Sequence, residues 1–278
     1  MPTTTRTTST TTAAPARPAA RTGSASGVRA LRRLTLTEGK LFLRDPSNAF
    51  FAVLFPALLL TVLGLVMPWA DEPYDADDPI LSQFTAITGY TPIVLALAVG
   101  TVAFTTFPTT LATYRQRGVL RRLSTTPLPP TRVLVAQVAV NLAALLVAAV
   151  LALLLGVVVV GVDLPEQPLL LVGAFVLSVL SAFAVGSLIA AVAPTGPSAN
   201  GIGATVYFLS LFFAGVWLPL PIMPQVVQDI AQFTPLGAAS QAMTAAWFGQ
   251  PLPTVELLAM AAWAVLGVPL AARLFRWS

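Results

Sequence analysis

The chain has 278 residues, of which 56% are hydrophobic and only 9% are charged, and its formal net charge is +4. Soluble domains carry about 25% charged residues, so this composition excludes an ordinary soluble protein and indicates one embedded in a membrane. The sequence contains neither Cys nor His. That excludes zinc sites built on thiolate or imidazole, disulfides, thiol nucleophiles and histidine acid–base catalysis.

The first 27 residues are a low-complexity mixture of Thr, Ala, Arg, Ser and Pro without an acidic residue or an apolar period. This pattern predicts a disordered cytoplasmic tail over residues 1–27. Residues 28–278 are then predicted to form a single transmembrane domain.

Residues 28–44 precede the first long apolar run and predict an amphipathic helix, which we call the entry helix. Its apolar stripe contains Val28, Leu31, Leu34 and Leu41, and its basic face contains Arg29, Arg32, Arg33 and Lys40. Such a helix suits the membrane interface, with its apolar side in the acyl boundary and its arginines near anionic head groups. The alternative is a cytosolic helix packed on a partner protein.

Long uncharged windows predict six transmembrane helices, because about 20 apolar residues are needed to cross roughly 30 Å of hydrocarbon. The predicted spans are 49–68, 84–107, 133–160, 168–193, 200–218 and 255–272. Residues 219–250 are richer in Pro and Gln and predict re-entrant or interfacial helices before the last span, although a partial crossing stays open. The predicted fold class is therefore an all-α membrane protein.

The distribution of basic residues predicts the orientation of these spans. With six crossings, all 15 Lys and Arg residues fall on one side, before the first span, between the second and third, and after the last. Under the positive-inside rule this side is the cytoplasm. We therefore expect a multi-pass protein of the cytoplasmic membrane with both termini inside, and this membrane pattern argues against a nucleic-acid partner.

The spans carry no ionisable residue near their middle, which argues against an ion-coupled secondary transporter and against an intramembrane enzyme. The acidic residues at 71–78 favour a solvated outer loop over a metal site. The only Gly-Lys pair, Gly39-Lys40, is followed by Leu41 and lacks a phosphate-binding motif. We therefore expect no catalytic residue, metal or cofactor in this chain, and any nucleotide chemistry belongs to a separate subunit.

The loop between the second and third spans is predicted to be cytoplasmic and to contain a short helix. Gly118 permits a change of direction, residues 119–123 suit a short helix, and Pro127 ends it. From the residues alone, this loop is either a contact that transmits force or an ordinary basic loop that fixes topology.

The pattern R-x-x-G-x-L-x-x-L-x-x-x-P in this loop resembles the type-2 ABC transporter permease family, in particular its daunorubicin-resistance-like branch of drug and lipid exporters. Arg115, Gly118, Leu120, Leu123 and Pro127 form the pattern. Residues 212–243 also resemble that family, in the block that follows its fifth span. Family members often carry Glu around positions 115–121, where this chain has Arg115, Gln116, Arg117 and Arg121.

This resemblance implies that the loop, including Arg117 and Arg121, is a coupling helix that docks on an ABC ATP-binding subunit. ATP and Mg would be bound by that partner, and a second permease copy would complete a homodimer. The implied function is export of an amphipathic drug-like, antibiotic or lipid substrate, as in multidrug efflux and antibiotic resistance. The rival functions are a secondary transporter and a non-transporting membrane scaffold or sensor subunit.

Two further groups of residues are candidates for packing and for substrate contact. Small residues recur every four positions on the fourth span, at Ala174, Ser178, Ala182, Gly186 and Ala190, which permits close approach of another helix. Polar residues on the third and fifth spans either line the substrate path or bond neighbouring helices. They are Gln137, Asn141, Asn200, Thr205 and Tyr207.

Overall fold

The computed structural model describes residues 24–79, 81–119 and 131–274. Within these ranges the chain folds into helices, without a β-strand, and nine of the helices are longer than six residues. They are α1 (Ser24–Leu43), α2 (Pro46–Val66), α3 (Ala86–Gln116), α4 (Arg132–Val160), α5 (Pro168–Val192), α6 (Gly196–Phe213), α7 (Gln225–Ala231), α8 (Pro235–Trp247) and α9 (Thr254–Leu274). Most of the predicted tail lies outside the described residues, and α1 already begins at Ser24.

Five helices in the described part of the chain, α2, α3, α4, α5 and α9, are long and apolar enough to cross a membrane. The predicted class of all-α membrane protein is therefore confirmed. These helices overlap five of the six predicted spans. The predicted span 200–218 falls on α6, which has 18 residues and begins with the polar sequence GPSAN, so the sixth crossing stays a prediction.

Helix α3 is the central helix of the bundle. In its most apolar stretch of 18 residues, 89% is buried inside the protein, whereas the shares for the corresponding stretches of α2 and α9 are 22% and 17%. Exposed apolar side chains such as Val150 on α4 and Leu266 on α9 cover the outside of the bundle. A bundle with this apolar exterior needs lipid around it, because exposing so large an apolar surface to water is energetically unfavourable.

Two glycines let the backbones of α5 and α6 contact α3 directly. A Cβ added to Gly186 would stand 2.0 Å from the Ala103 carbonyl oxygen, and one added to Gly203 would stand 2.0 Å from the Phe104 carbonyl oxygen. The predicted small-residue stripe is buried within this chain along its whole length, at Ala174, Ser178, Ala182, Gly186 and Ala190.

A wide π-type turn at Thr101–Thr106 explains why a carbonyl is available at this contact. Pro108 has no N–H, and in a regular α-helix its ring would clash with the Phe104 carbonyl four residues earlier. The N–H of Phe107 bonds instead to the Val102 carbonyl, five residues back. The Ala103 carbonyl thus receives neither of its usual helical donors, and the Cα of Gly186 lies against it, a contact that favours a weak Cα–H···O interaction.

We call the end of α3 at Gln116 its loop end and the end at Ala86 its far end. Helix α6 runs antiparallel to α3, and the chain after it passes the far end, where the Tyr90 hydroxyl donates to the Val216 carbonyl (3.1 Å). Helix α8 starts with Leu236 beside Gly100 and ends with Trp247 near the far end, where Trp247 donates to the carbonyl of Asp163 and Thr88 of α3 donates to its carboxylate. Residues 219–250 therefore leave and return at the same end of α3.

Candidate functional site

A groove of about 950 Å³ lies along α3, between α2 and α6. Its lining on α3 extends from Tyr90 to Tyr114. These residues are 24 positions apart, which corresponds to about 36 Å at 1.5 Å per helical residue. The groove therefore covers a length comparable to the roughly 30 Å hydrocarbon thickness of a bilayer.

The two sides of the groove differ in chemistry. Helix α3 contributes a row of hydroxyl groups, from Thr101, Thr105, Thr106, Thr109, Thr110 and Thr113. Helices α2 and α6 contribute mainly apolar and aromatic groups, among them Phe51, Phe55, Leu59, Phe208 and Leu211. A molecule with one polar edge and one apolar face would match both sides.

Most hydroxyls in this row donate their hydrogen to the protein itself. Four of them bond to the carbonyl four residues earlier, as Thr101 to Leu97, Thr105 to Thr101, Thr110 to Thr106 and Thr113 to Thr109. Thr106 donates to Oδ1 of Asn48 on α2 at 2.7 Å. The Oγ1 atom of Thr109 is buried and has no hydrogen-bond partner. These internal bonds allow polar side chains to sit in a long apolar helix.

The structure brings two of the five candidate substrate-lining residues to the groove, Asn200 and Tyr207. The Tyr207 hydroxyl lies 2.7 Å from Oγ1 of Thr101 and connects α6 to α3. Thr205 is exposed on α6, bonds to the Gly201 carbonyl and does not line the groove.

The other two candidates, Gln137 and Asn141, are buried on α4 away from the groove. Nε2 of Gln137 donates to Oε2 of Glu38 on α1 at 2.5 Å, and Nδ2 of Asn141 donates to the Gln137 carbonyl at 2.8 Å. The Gln137 bond matches the alternative that these side chains connect neighbouring helices, whereas the Asn141 bond stays within α4. A role of Gln137, Asn141 or Thr205 in substrate contact stays a prediction.

Glu38 is a buried residue that was not among the residues predicted from the sequence. Its side chain is only 6% exposed and also accepts a hydrogen bond of 2.6 Å from the Tyr114 hydroxyl at the loop end of α3. Glu38, Tyr114 and Gln137 therefore join α1, α3 and α4 in one cluster, which we call the Glu38 cluster. Glu38 falls in register with Leu31, Leu34 and Leu41, and this spacing could have indicated its burial.

The entry helix is present as α1, and its predicted residues divide between the protein and the outside. Leu31 is partly buried and Leu34 packs against the core, whereas Arg32 and Arg33 are exposed. Leu41 is 47% exposed. Contact of that exposed side with the membrane interface stays a prediction, and contact with a partner protein stays the alternative.

The loop end of α3 also holds the turn between α5 and α6. The Arg115 guanidinium donates to the carbonyls of Ala191 and Ala193, at the carboxyl end of α5. A cation is favourable there because a helix ends with unpaired carbonyls and a partial negative charge. Oε1 of Gln116 accepts a hydrogen bond of 3.1 Å from the Gly196 N–H at the start of α6. Residues 114–116 thus contact α1, α4, α5 and α6.

Of the predicted coupling residues, three lie in the described part of the chain. Arg115 is bound as above, Arg117 is exposed, and Gly118 has a φ of 67°, a conformation that glycine adopts more readily than other residues. Leu120, Arg121, Leu123 and Pro127 lie outside the described residues. No three Asp or Glu side chains in the described ranges are grouped closely enough to hold a metal ion.

The comparison with known proteins agrees with the resemblance noted in the sequence. The model of the ABC-2 type transporter family matches residues 29–248, which run from α1 to just beyond α8. No curated protein matches the chain. Since the match covers most of the sequence, the chain belongs to the ABC-2 type transporter family and is a multi-pass membrane component of an ABC transporter.

Proposed function

We propose that this chain is the permease subunit of an ATP-driven exporter, and that it moves an amphipathic drug-like, antibiotic or lipid substrate out of the cell. The observation that carries the proposal is the groove along α3. It is as long as a bilayer is thick, and it presents hydroxyls on one side and apolar rings on the other. Such a surface suits a substrate that travels along the membrane normal with one polar edge.

In the proposed topology the chain crosses the cytoplasmic membrane six times, through α2, α3, α4, α5, α6 and α9. The loop end of α3 and both termini face the cytoplasm, where all 15 Lys and Arg residues then lie. Helices α7 and α8 dip in from the outer side and return. Phe248 packs on Phe84, which lies just before α3, and Trp247 donates to the carbonyl of Asp163, whose carboxylate accepts from Thr88 on α3. These contacts at the far end of α3 support this interpretation.

Energy would come from a separate ATP-binding subunit that holds ATP and Mg²⁺, while this chain performs no catalysis. That subunit would bind the loop that follows Gln116. Because residues 114–116 contact four other helices, a push on this loop would reach α1, α4, α5 and α6 together.

A second copy of the chain would cover the open side of the groove. The exposed side of α6, which includes Gly201 and Thr205, has open space in front of Gly201. Small residues of this kind allow close approach of a helix from another subunit. The substrate would then pass between the two permeases of a homodimer.

The proposal is tested by transport in proteoliposomes that contain the chain and its cognate ATP-binding subunit. The wild-type complex is expected to show ATP-dependent transport. Gly118→Val is expected to lower it strongly while the complex still forms, since a φ of 67° strains a β-branched residue. Gly173→Val is the matched control, because a Cβ at Gly173 meets nothing within 4 Å. A complex that assembles but never transports would instead support the scaffold function.

The orientation is tested separately with single-cysteine variants, which the absence of native Cys makes straightforward. Gln116→Cys is expected to react with a membrane-impermeant maleimide only after the cytoplasmic side is opened. Asp77→Cys is expected to react from outside in intact cells. Labelling of Gln116→Cys from the outer face would refute the topology and the proposed function with it.

A further inference from the structure

The hydroxyl row of the groove presents hydrogen-bond acceptors more than donors. A hydroxyl group has one donor hydrogen and two acceptor lone pairs. Thr101, Thr105, Thr106, Thr110 and Thr113 each donate that hydrogen to a protein oxygen. Their remaining capacity on the groove side is therefore to accept.

The tyrosines of the groove add to the same bias. The Tyr90 hydroxyl donates to the Val216 carbonyl. Thr101 already donates to Leu97, so the short contact between Tyr207 and Thr101 is satisfied when Tyr207 is the donor. Donor groups remain at the amides of Asn48 and Asn200, at the Ser47 hydroxyl and at the Trp217 indole N–H, so the surface is acceptor-rich rather than purely accepting.

The charge at the groove is negative, and a negative charge favours the same ligands as hydrogen-bond acceptors do, namely cations that donate. Asp45 lies at its loop end and is the lining residue that carries a charge, and neither Lys nor Arg belongs to the lining in the described part of the chain. The aromatic rings of Tyr90 and Trp217 lie at the other end. Ring faces and carboxylates both attract cations.

We propose that the groove selects amphipathic molecules that carry an ammonium group with N–H donors, and that it rejects anionic amphipaths. This inference rests on the proposed function and names the substrate class of the same site. An ammonium offers three donors and no acceptor, which complements threonine oxygens and the Asp45 carboxylate. A carboxylate or phosphate group would meet more acceptors than donors, and the loss of its hydration would be compensated less well.

The test uses three dansyl probes with the same ring and linker. Dansylcadaverine carries an ammonium, its trimethylammonium analogue keeps the charge without donors, and its N-acetyl derivative lacks the charge. Affinity is measured by fluorescence for the full chain in phosphatidylcholine nanodiscs, against empty nanodiscs. The ammonium probe is expected to bind about tenfold more tightly than the acetylated probe, as for one hydrogen bond to a charged group.

Variants separate the contribution of charge from that of hydrogen bonds. Asp45→Asn keeps an oxygen that caps α2 through the Asn48 N–H but removes the charge. It is expected to weaken both cationic probes several-fold. The double variant Thr105→Val/Thr110→Val is expected to weaken the ammonium probe and leave the trimethylammonium probe unchanged. Thr61→Val is the matched control, because Thr61 makes the same kind of bond to Ala57 outside the groove lining.

Equal affinity for the three probes, no binding above that of empty nanodiscs, or an equal loss in Thr61→Val would each overturn the inferred preference. A dansyl carboxylate that binds as tightly as dansylcadaverine would also overturn it. The proposed function is judged independently by ATP-dependent transport in proteoliposomes. A complex that transports while its groove shows no cation preference would refute the substrate class alone.

Discussion

The two ends of α3 differ in the balance between apolar packing and polar contacts, although hydrogen bonds occur at both. At the far end, Trp247 is fully buried, and Phe248 packs against Tyr74 and Phe84 with ring centroids 4.6 and 4.9 Å away. At the loop end, long polar side chains such as Tyr114 and Arg115 make the contacts. Close apolar packing resists displacement, whereas polar side chains can exchange partners. We therefore expect motion to begin at the loop end and the far end to move as a block.

The largest effect is expected from Trp247→Ala at the far end. Removing a fully buried Trp leaves a cavity and costs about 3–5 kcal/mol of the free energy of unfolding. Denaturation of the purified chain in detergent would measure the loss. Trp217→Ala is the control, because Trp217 is 61% exposed and its loss is expected to change stability little. Similar losses in both variants would contradict the tightly packed far end.

The next largest effect is expected where α5 and α6 contact the middle of α3. Gly186→Ala and Gly203→Ala each place a Cβ against a backbone oxygen that cannot move aside, and are expected to cost about 1–3 kcal/mol. Gly173→Ala and Gly201→Ala are matched controls with open space around the added Cβ. They are expected to be neutral or to stabilise their helices by up to about 1 kcal/mol. The same denaturation assay compares the four variants.

At the loop end, Tyr114→Phe removes one of the hydroxyl or amide groups that donate to buried Glu38. It is expected to lower the free energy of unfolding by about 1–2 kcal/mol. Its effect on transport per ATP hydrolysed is expected to exceed that of a far-end variant of equal stability. This ratio, measured in proteoliposomes, distinguishes the two ends directly. An unchanged ratio would show that the Glu38 cluster only stabilises the fold.

The smallest effect is expected within the groove. Thr106→Val removes the hydroxyl that donates to Oδ1 of Asn48. It is expected to lower the free energy of unfolding by about 0.5–1.5 kcal/mol. Thr109→Val has nearly the same shape and removes a buried hydroxyl without a partner, so it is expected to be neutral or slightly stabilising. Denaturation curves of the two variants test the assignment of these hydrogen bonds, and the reverse order would refute it.

The sequence predicted the class of the protein and the position of five apolar helices, because hydrophobic length is a local property that the bilayer imposes. It did not predict that α3 continues to Gln116. The threonines of its last turns make the segment look polar, yet their hydroxyls bond to the helix itself. The regular spacing of Thr101, Thr105, Thr109 and Thr113 was visible, but which helix faces them depends on tertiary packing.

Burial of Glu38 shows the same limit of local reasoning. A carboxyl group on a basic amphipathic helix is usually exposed. Its partners, Tyr114 and Gln137, are 76 and 99 residues further along the chain. For the same reason the sequence could not decide whether Gln137 contacts substrate or another helix.

The contacts of residues 114–116 also imply an order of assembly during synthesis. Tyr114 can find Glu38 and Gln137 once α4 has entered the membrane. Arg115 and Gln116 must wait for Ala191, Ala193 and Gly196, which the ribosome adds 76 to 80 residues later. The amino-terminal half would therefore be inserted before these three hydrogen bonds form, and arrival of the α5–α6 hairpin would complete the contacts at the loop end.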